Sequence, residues 1–156
     1  MYKKKYFIIF FSIILFLSNC GYVPRYGMSE KNVNFNIEIL SLNGDRDFNS
    51  SIKTKLNRYT NNSENQSNIF KIKTNSKYEK LITSKDSSGA ATNYELKITA
   101  QFIILKNGKE KEIVMKETFK MKKLDNSFEE NQYERVIKDN FAEIIVDKLI
   151  LYLYQI

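Results

Sequence analysis

Four segments of the chain alternate apolar and polar residues, and this pattern predicts β-strands with one buried face. They lie at residues 33–39, 69–84, 94–105 and 109–123. In the second segment, apolar residues such as Phe70 and Ile72 take the even positions and lysines take odd ones. Each predicted strand therefore has one side suited to a core and one side suited to water.

Asn107-Gly108 joins the third and fourth segments and is a strong signal for a two-residue β-hairpin. Both residues tolerate the positive φ of a type I′ turn, so Lys106 should pair with Lys109, which fixes the register of the hairpin. On one face this register gives the apolar pairs Phe102 with Ile113, Ala100 with Met115, Leu96 with Phe119, and Tyr94 with Met121. The same face receives two mixed pairs, Ile98 with Glu117 and Ile104 with Lys111.

Two further segments have helical spacing. Phe48, Ile52, Leu56 and Tyr59 follow one another at intervals of 4, 4 and 3, and Asp45 or Asp47 is placed to cap such a helix.

The chain closes with a longer helical pattern, which begins at a predicted capping box, Ser127-Phe128-Glu129-Glu130. The predicted apolar stripe of this helix consists of Tyr133, Ile137, Phe141, Ile145, Leu149 and Tyr152, widened by Val136 and Ile144.

These elements predict an α+β fold in the order β-α-β-β-β-α. Two amphipathic helices and one apolar sheet face are best buried against each other, as a two-layer α/β sandwich with both helices on one face. The four-stranded sheet should be mostly antiparallel. Its strand order stays open apart from the hairpin, and its second face should be polar and rich in lysine.

The N-terminal residues predict an export signal with a lipid attachment site. Lys3, Lys4 and Lys5 precede an apolar run of 12 residues, which is too short for a bilayer-spanning helix of about 20 residues. Cys20, the single cysteine, follows where such a signal is cut. We therefore expect a cleaved lipoprotein signal at residues 1–19, a lipidated tether at 20–32 and one domain at 33–156. Cys20 would carry an S-diacylglycerol group and an N-acyl chain. The alternative is an ordinary signal peptide or an uncleaved anchor with an incidental Cys20.

Charge and composition narrow the function classes only partly. The chain has a net charge of +7, and removal of three lysines with the signal would leave +4 (22 basic against 18 acidic residues). A mildly basic domain suits anionic lipid or sugar phosphates, and it equally suits a merely soluble surface.

Residue types argue against catalysis. The chain contains no histidine, which is the commonest general base and metal ligand. The single thiol is assigned to the lipid, no phosphate-binding glycine loop is present, and Glu129-Glu130 is explained by helix capping. We expect no enzyme activity, no metal and no cofactor beyond the lipid. Nucleic acid is not an expected partner, because the first turn of the last helix is acidic where double-stranded RNA-binding domains place lysines.

Lysines on the polar sheet face form the candidate ligand site. On this face they would recognise anionic groups such as the phosphates of lipid A, or simply keep the face solvated and discourage edge pairing. They are Lys71, Lys73, Lys77, Lys97, Lys116 and Lys120.

Three stretches resemble the lipopolysaccharide-assembly lipoproteins of the LptE family. The segment Cys20-Gly21-Tyr22-Val23-Pro24-Arg25-Tyr26-Gly27 is similar to the CGF-x-PLYG opening of that family, with Arg25 in place of an apolar residue. The segment Ala91-Thr92-Asn93-Tyr94-Glu95-Leu96 resembles its A-x-x-Y-x-L entry to a central strand. Residues 133–154 resemble its long C-terminal helix.

This resemblance implies a non-catalytic lipoprotein of the outer membrane, held by its lipid in the inner leaflet on the periplasmic side. It further implies that the protein fills the lumen of the LptD β-barrel one-to-one, helps that barrel to assemble, and assists insertion of lipopolysaccharide into the outer leaflet. The alternative is another envelope lipoprotein with the same anchor, either a barrel-assembly accessory or a structural protein.

Overall fold

The computed structural model describes residues 34–60 and 68–156. Its elements follow the order β1 (Asn36–Gly44), α1 (Arg46–Leu56), β2 (Ile69–Lys85), β3 (Ala91–Lys106), β4 (Lys109–Lys122) and α2 (Ser127–Leu153). The 3₁₀ turn Asn57–Tyr59 prolongs α1. Cys20, the signal segment and the tether lie outside the described residues.

The four strands form one sheet in the order β1-β2-β3-β4. β1 runs parallel to β2, and the other neighbours are antiparallel. The parallel pair is possible because α1 carries the chain back between β1 and β2, as parallel pairing requires. The predicted α+β order and mostly antiparallel sheet are confirmed.

The β3–β4 hairpin has the predicted register throughout. Lys106 pairs with Lys109, and pairing continues without a slip to Asn93 and Lys122. Asn107 and Gly108 adopt φ values of 50° and 74°. The two mixed pairs are accommodated by α2, because Lys148 forms a salt bridge with Glu117 and Lys111 lies 5.0 Å from the centre of the Tyr152 ring.

A single hydrophobic core lies between the sheet and the two helices. It takes the even positions of β2 and β3, the inward stripe of α1 and one side of α2. Its largest fully buried side chains include Phe48, Ile52, Leu56, Phe70, Ile72, Leu96, Ile98, Phe102, Ile104, Ile145 and Leu149. Both helices thus cover the same sheet face, as predicted.

The alternation covers residues 33–39, and β1 continues from there to Gly44, within the Asn43-Gly44-Asp45 sequence that predicts the end of the strand. A register shift between Ile39 and Ser41 breaks the alternation and leaves Leu40 exposed. For this reason the second half of the strand does not show a period-two pattern. Gly44 has φ +102°, and a Cβ there would lie 1.8 Å from the Ser76 carbonyl oxygen. The chain then enters α1, which Asp45 caps by accepting from the Phe48 N–H at 2.9 Å.

The predicted capping box of the last helix is wrong. Asn126 is the N-cap, and its Oδ1 accepts from the N–H of Phe128 at 2.9 Å, whereas Ser127 is already helical. Glu130 accepts from the Leu124 N–H at 3.0 Å instead of from the cap residue.

The buried side of α2 is also rotated from the predicted stripe. Ile137, Phe141, Ile145 and Leu149 are buried as predicted, but the stripe widens on the other side, through Ala142, Val146, Ile150 and Leu153. Tyr133, Val136 and Ile144 are exposed. The face toward α1 is buried instead, because α1 packs beside α2 and covers it.

Candidate binding face

The sheet face opposite the helices is open among the described residues, and we call it the open face. It consists of the odd positions of β2 and β3 and the even positions of β4. All six candidate lysines lie on it: Lys71, Lys73, Lys77, Lys97, Lys116 and Lys120. One row across three strands places Thr99 between Lys77 and Lys116. The structure therefore brings the predicted lysines together on one surface.

Acidic side chains share this face, so the surface is mixed in charge. Glu38 pairs with Lys71 at 3.0 Å, and Glu79 pairs with Lys77 at 2.9 Å. The bond from Lys77 holds the pKa of the Glu79 carboxyl below its usual range. Glu95 lies directly opposite Lys120 in the register.

Four of the six lysines make no salt bridge with any described residue, namely Lys73, Lys97, Lys116 and Lys120. Lys73, Lys116 and Lys120 are exposed, and Lys97 is half-buried. The three exposed lysines are the members of the set most available to an external anion.

A depression of about 540 Å³ lies at the end of the sheet near the β2–β3 turn. Lys120, Lys122, Asn93, Ser84 and Glu95 contribute to its lining. The register of β2 shifts at Ser84, and this irregularity opens the surface there. Alternation alone did not reveal Ser84 as part of a site, because a bulge leaves no trace in a period-two pattern, whereas Lys122 has the parity of Lys116 and Lys120 and was readable from the sequence.

The covered side of the sheet holds a charged cluster that the sequence did not reveal. Lys80 lies on the same face as Phe70, and its Nζ contacts Glu130 Oε1 at 2.6 Å and also Glu134. The same ammonium lies 4.2 Å from the centre of the Tyr94 ring. The bond from Lys80 holds the pKa of Glu130 below its usual range. This cluster joins β2 to the first turns of α2.

The cluster continues toward α1. The Tyr78 hydroxyl donates to Glu134 at 2.9 Å, and burial together with this bond raises the pKa of Tyr78. Lys138 lies 4.1 Å from the centre of the Tyr78 ring and contacts Asp45 at 2.9 Å. Every charge in this cluster has an opposite partner, and its contacts join α2 to β2 and to the N-cap of α1.

No set of three or more His, Cys, Asp or Glu side chains within residues 34–60 and 68–156 is arranged to hold a metal ion. No helix in these ranges has the length and apolarity needed to cross a membrane.

Three solved structures that share this fold are described as lipoproteins. Rare lipoprotein B from Shewanella oneidensis superposes with a TM-score of 0.57 at 14% identity, over 76% of this chain and 98% of that one. A minor lipoprotein from Acinetobacter baumannii gives a TM-score of 0.50 at 15% identity, over 74% and 94%. Lipoprotein B from Nitrosomonas europaea gives 0.50 at 18% identity, over 77% and 87%. At these identities the likeness shows the fold alone.

No protein with a curated function matches the sequence. The sequence model of the LptE family, described as lipopolysaccharide-assembly, matches residues 35–153. This match spans the domain from β1 to the end of α2. The chain therefore belongs to the LptE family of lipopolysaccharide-assembly lipoproteins.

Proposed function

We propose that this protein is a lipid-anchored, non-catalytic plug for an LptD-like outer-membrane β-barrel, and that the pair inserts lipopolysaccharide into the outer leaflet. The observation that carries the proposal is the family match over residues 35–153. In this role the protein binds its barrel one-to-one, helps it to assemble, and stays attached to the inner leaflet of the outer membrane.

The architecture suits a barrel lumen. The interior of an outer-membrane barrel is polar, so a plug should keep its apolar side chains inside itself. Here the core is enclosed between the helices and one sheet face, and the other sheet face carries charged side chains. Such a domain presents a charged sheet face that can lie against a polar lumen.

The anchor rests on Cys20, which we propose is cleaved free and acylated on both its thiol and its new amino group. Three acyl chains exceed the two signals needed for stable membrane anchoring. Intact-mass measurement of the protein from cells tests this directly. We expect a chain beginning at Cys20 with added lipid mass, and loss of that mass in Cys20→Ala. A chain that begins at Met1 without acyl mass would refute the anchor.

Isolation from mildly solubilised outer membranes tests the barrel partnership. We expect the lipoprotein to co-purify with one large β-barrel in equal amounts, and recovery free of any barrel would contradict the proposal. Depletion separates this role from that of a barrel-assembly accessory. Loss of surface lipopolysaccharide with other barrels intact supports the plug, and general loss of barrels supports the accessory role.

We further propose that the lysines of the open face contact the anionic groups of lipopolysaccharide. Lys73→Glu/Lys120→Glu should weaken equilibrium binding of purified lipopolysaccharide, because both changes replace cations with anions on that face. The matched control is Lys53→Glu/Arg58→Glu, which makes the same charge change on the helical side. Equal losses in both variants would show a non-specific effect of net charge and would count against a site on the open face.

A further inference from the structure

β4 forms one edge of the sheet, and among the described residues no strand pairs with its outer side. The strand has 14 residues, which makes a long edge. Unpaired edges of this length usually carry protection against association with another strand. β4 carries charged residues on both sides of a short apolar centre, where Ile113 and Met115 are half-buried and Val114 is 51% exposed.

The outward backbone groups of β4 can be assigned from its pairing with β3. The Lys123 N–H donates to the Thr92 carbonyl at 2.9 Å, so odd-numbered residues direct their backbone groups toward β3. The β3–β4 register has no shift, and the alternation therefore holds along the strand. Val114 and the other even residues consequently direct their N–H and C=O groups outward.

The sequence around Val114 is complementary to itself when read in the opposite direction. It reads Lys111-Glu112-Ile113-Val114-Met115-Lys116-Glu117. If two copies pair antiparallel about Val114, each Glu112 meets the Lys116 of the other copy and each Ile113 meets Met115. Lys111 likewise meets Glu117. Opposite-charge and apolar cross-strand pairs are the ones that stabilise a sheet.

Neighbouring registers lose this match. A shift that centres the pair on Ile113 sets Glu112 against Val114 and Lys111 against Met115. A shift that centres it on Met115 sets Val114 against Lys116 and Ile113 against Glu117. Of these three registers, only the one centred on Val114 keeps charges with charges and apolar residues with apolar residues over positions 111–117. Its central pair also has both backbone groups free to bond.

The Glu112–Lys116 pair contributes most of the preference for the Val114 register over its neighbours. Lys116 makes no salt bridge with a described residue, and Glu112 accepts a neutral bond from Gln101 Nε2 at 2.7 Å. Lys111 and Glu117 already contact Tyr152 and Lys148 on α2. The cross-copy pair on the open face is therefore the new interaction that pairing would supply.

We propose that the free lipoprotein forms a two-fold dimer through β4, with Val114 of each copy at the axis, giving one continuous eight-stranded sheet. Such an interface uses the same surface on both copies and closes on itself. It therefore pairs the outward N–H and C=O groups of β4 without forming a fibre. This inference concerns the protein before it meets a barrel and does not depend on the proposed function.

Disulfide trapping in the full-length chain tests the register. In the hydrogen-bonded pair formed at the axis, the two Cα atoms at position 114 lie about 5.5 Å apart, within disulfide range. Val114→Cys should give a covalent dimer of twice the chain mass under mild oxidation in membranes. Thr118→Cys is the matched control on the same strand and face, since its two copies would lie about 27 Å apart. The unchanged chain reports any crosslink through Cys20.

Exchange of charges between the two copies tests independently whether a second copy of this chain pairs with β4. In the Val114→Cys background, Glu112→Lys alone and Lys116→Glu alone each create two like-charge contacts, so the yield of covalent dimer should fall about tenfold. When the two variants are co-expressed, both contacts become opposite in charge, and a mixed dimer should form at the original yield. Lys122→Glu lies outside the paired segment 109–119 and should not change the yield.

Three results would overturn the proposal. The first is a folded Val114→Cys protein that gives no covalent dimer. The second is a crosslink from position 114 to a different protein, which would show that another chain occupies this edge. The third is failure of the mixed pair to recover after both single charge variants lose the dimer.

Discussion

At the scale of single residues, Thr74 and Ser76 carry two buried hydroxyls on one strand face that differ in their hydrogen bonding. Ser76 Oγ accepts from the Asp45 N–H at 3.0 Å and lies 2.9 Å from Asn49 Oδ1 and 3.3 Å from the Asn43 carbonyl. Thr74 is 1% exposed, and its Oγ1 has no hydrogen-bond partner among the described residues. The Ser76 hydroxyl links the end of β1 to α1, whereas the Thr74 hydroxyl is buried without a hydrogen bond that would offset the loss of its hydration.

Thr74→Val should therefore stabilise the domain, by about 1 kcal/mol, because it removes an unpaired buried hydroxyl and keeps the side-chain shape. Ser76→Ala should destabilise it by about 1–3 kcal/mol, because Asn49 and the adjoining backbone lose their shared partner. Chemical unfolding of both variants measures the two free energies. A loss of stability in Thr74→Val comparable to that in Ser76→Ala would show that Thr74 has a partner in solution.

At the scale of elements, the hairpin could be predicted to the residue, because turn chemistry and alternation gave the same register independently. The parallel pairing of β1 with β2 could not be predicted, since it depends on where α1 packs and not on a local signal. The rotation of α2 was missed for a similar reason. Apolar periodicity locates a helix but does not determine which of two adjacent faces is buried. Contact with α1 buries Val146 and leaves Val136 exposed.

The candidate site was predicted unevenly. All six lysines were placed on the correct face, because side-chain parity and the hairpin register determine it. Their acidic neighbours Glu38 and Glu79 were missed, although Glu79 has the parity of Lys77 and was therefore readable from the sequence. Lys80 was missed because a lysine in a strand is ordinarily exposed, and only the docking of Glu130 and Glu134 on α2 makes its burial favourable.

The start of α2 gives a direct test of the cap. Asn126→Ala should cost about 1 kcal/mol in the free energy of unfolding, because the amides of Phe128 and Glu129 lose their acceptor. Ser127→Ala should change stability by less than about 0.5 kcal/mol, since Ser127 is the first helical residue and alanine suits that position. Equal effects, or a larger effect from Ser127→Ala, would restore the capping box that the sequence suggested.

The attachment of α2 to the sheet can be tested at Lys80. Lys80→Met should cost about 2 kcal/mol, because it leaves Glu130 and Glu134, whose side chains are 12% and 14% exposed, without their cation. Lys77→Met on the same strand is the matched control. Its salt bridge with Glu79 lies on the open face, where the Lys77 side chain is 73% exposed, so the cost should be below about 1 kcal/mol. Unfolding free energies that do not differ between the two variants would argue against the cluster as an anchor for α2.

At the scale of the whole molecule, the same cluster sets the pH range over which the two layers stay together. Glu130 has a pKa lowered from its ordinary 4.5 by its bond with Lys80, so its contribution is full above that value and is lost as pH falls through the folded pKa. Burial lowers the pKa of Lys80, but its bonds with Glu130 and Glu134 outweigh burial and raise it above 10.5. Burial and the bond to Glu134 raise the pKa of Tyr78 above 10.0. Both of these contributions are full below the ordinary values and are lost as pH rises through the folded ones.

Stability should therefore be level between about pH 5 and pH 10 and fall on either side, with different residues responsible for each limb. Glu130→Gln should be less stable than the parent at neutral pH, and the two curves of melting temperature should converge in acid, where the parent loses the same carboxylate. Tyr78→Phe should flatten the alkaline limb and leave the acid limb unchanged, because phenylalanine has no proton to release. Thermal melts of the three proteins across both limits measure these shapes. An acid limb of unchanged steepness in Glu130→Gln would assign acid unfolding to other carboxylates and would reduce the cluster to a local contact.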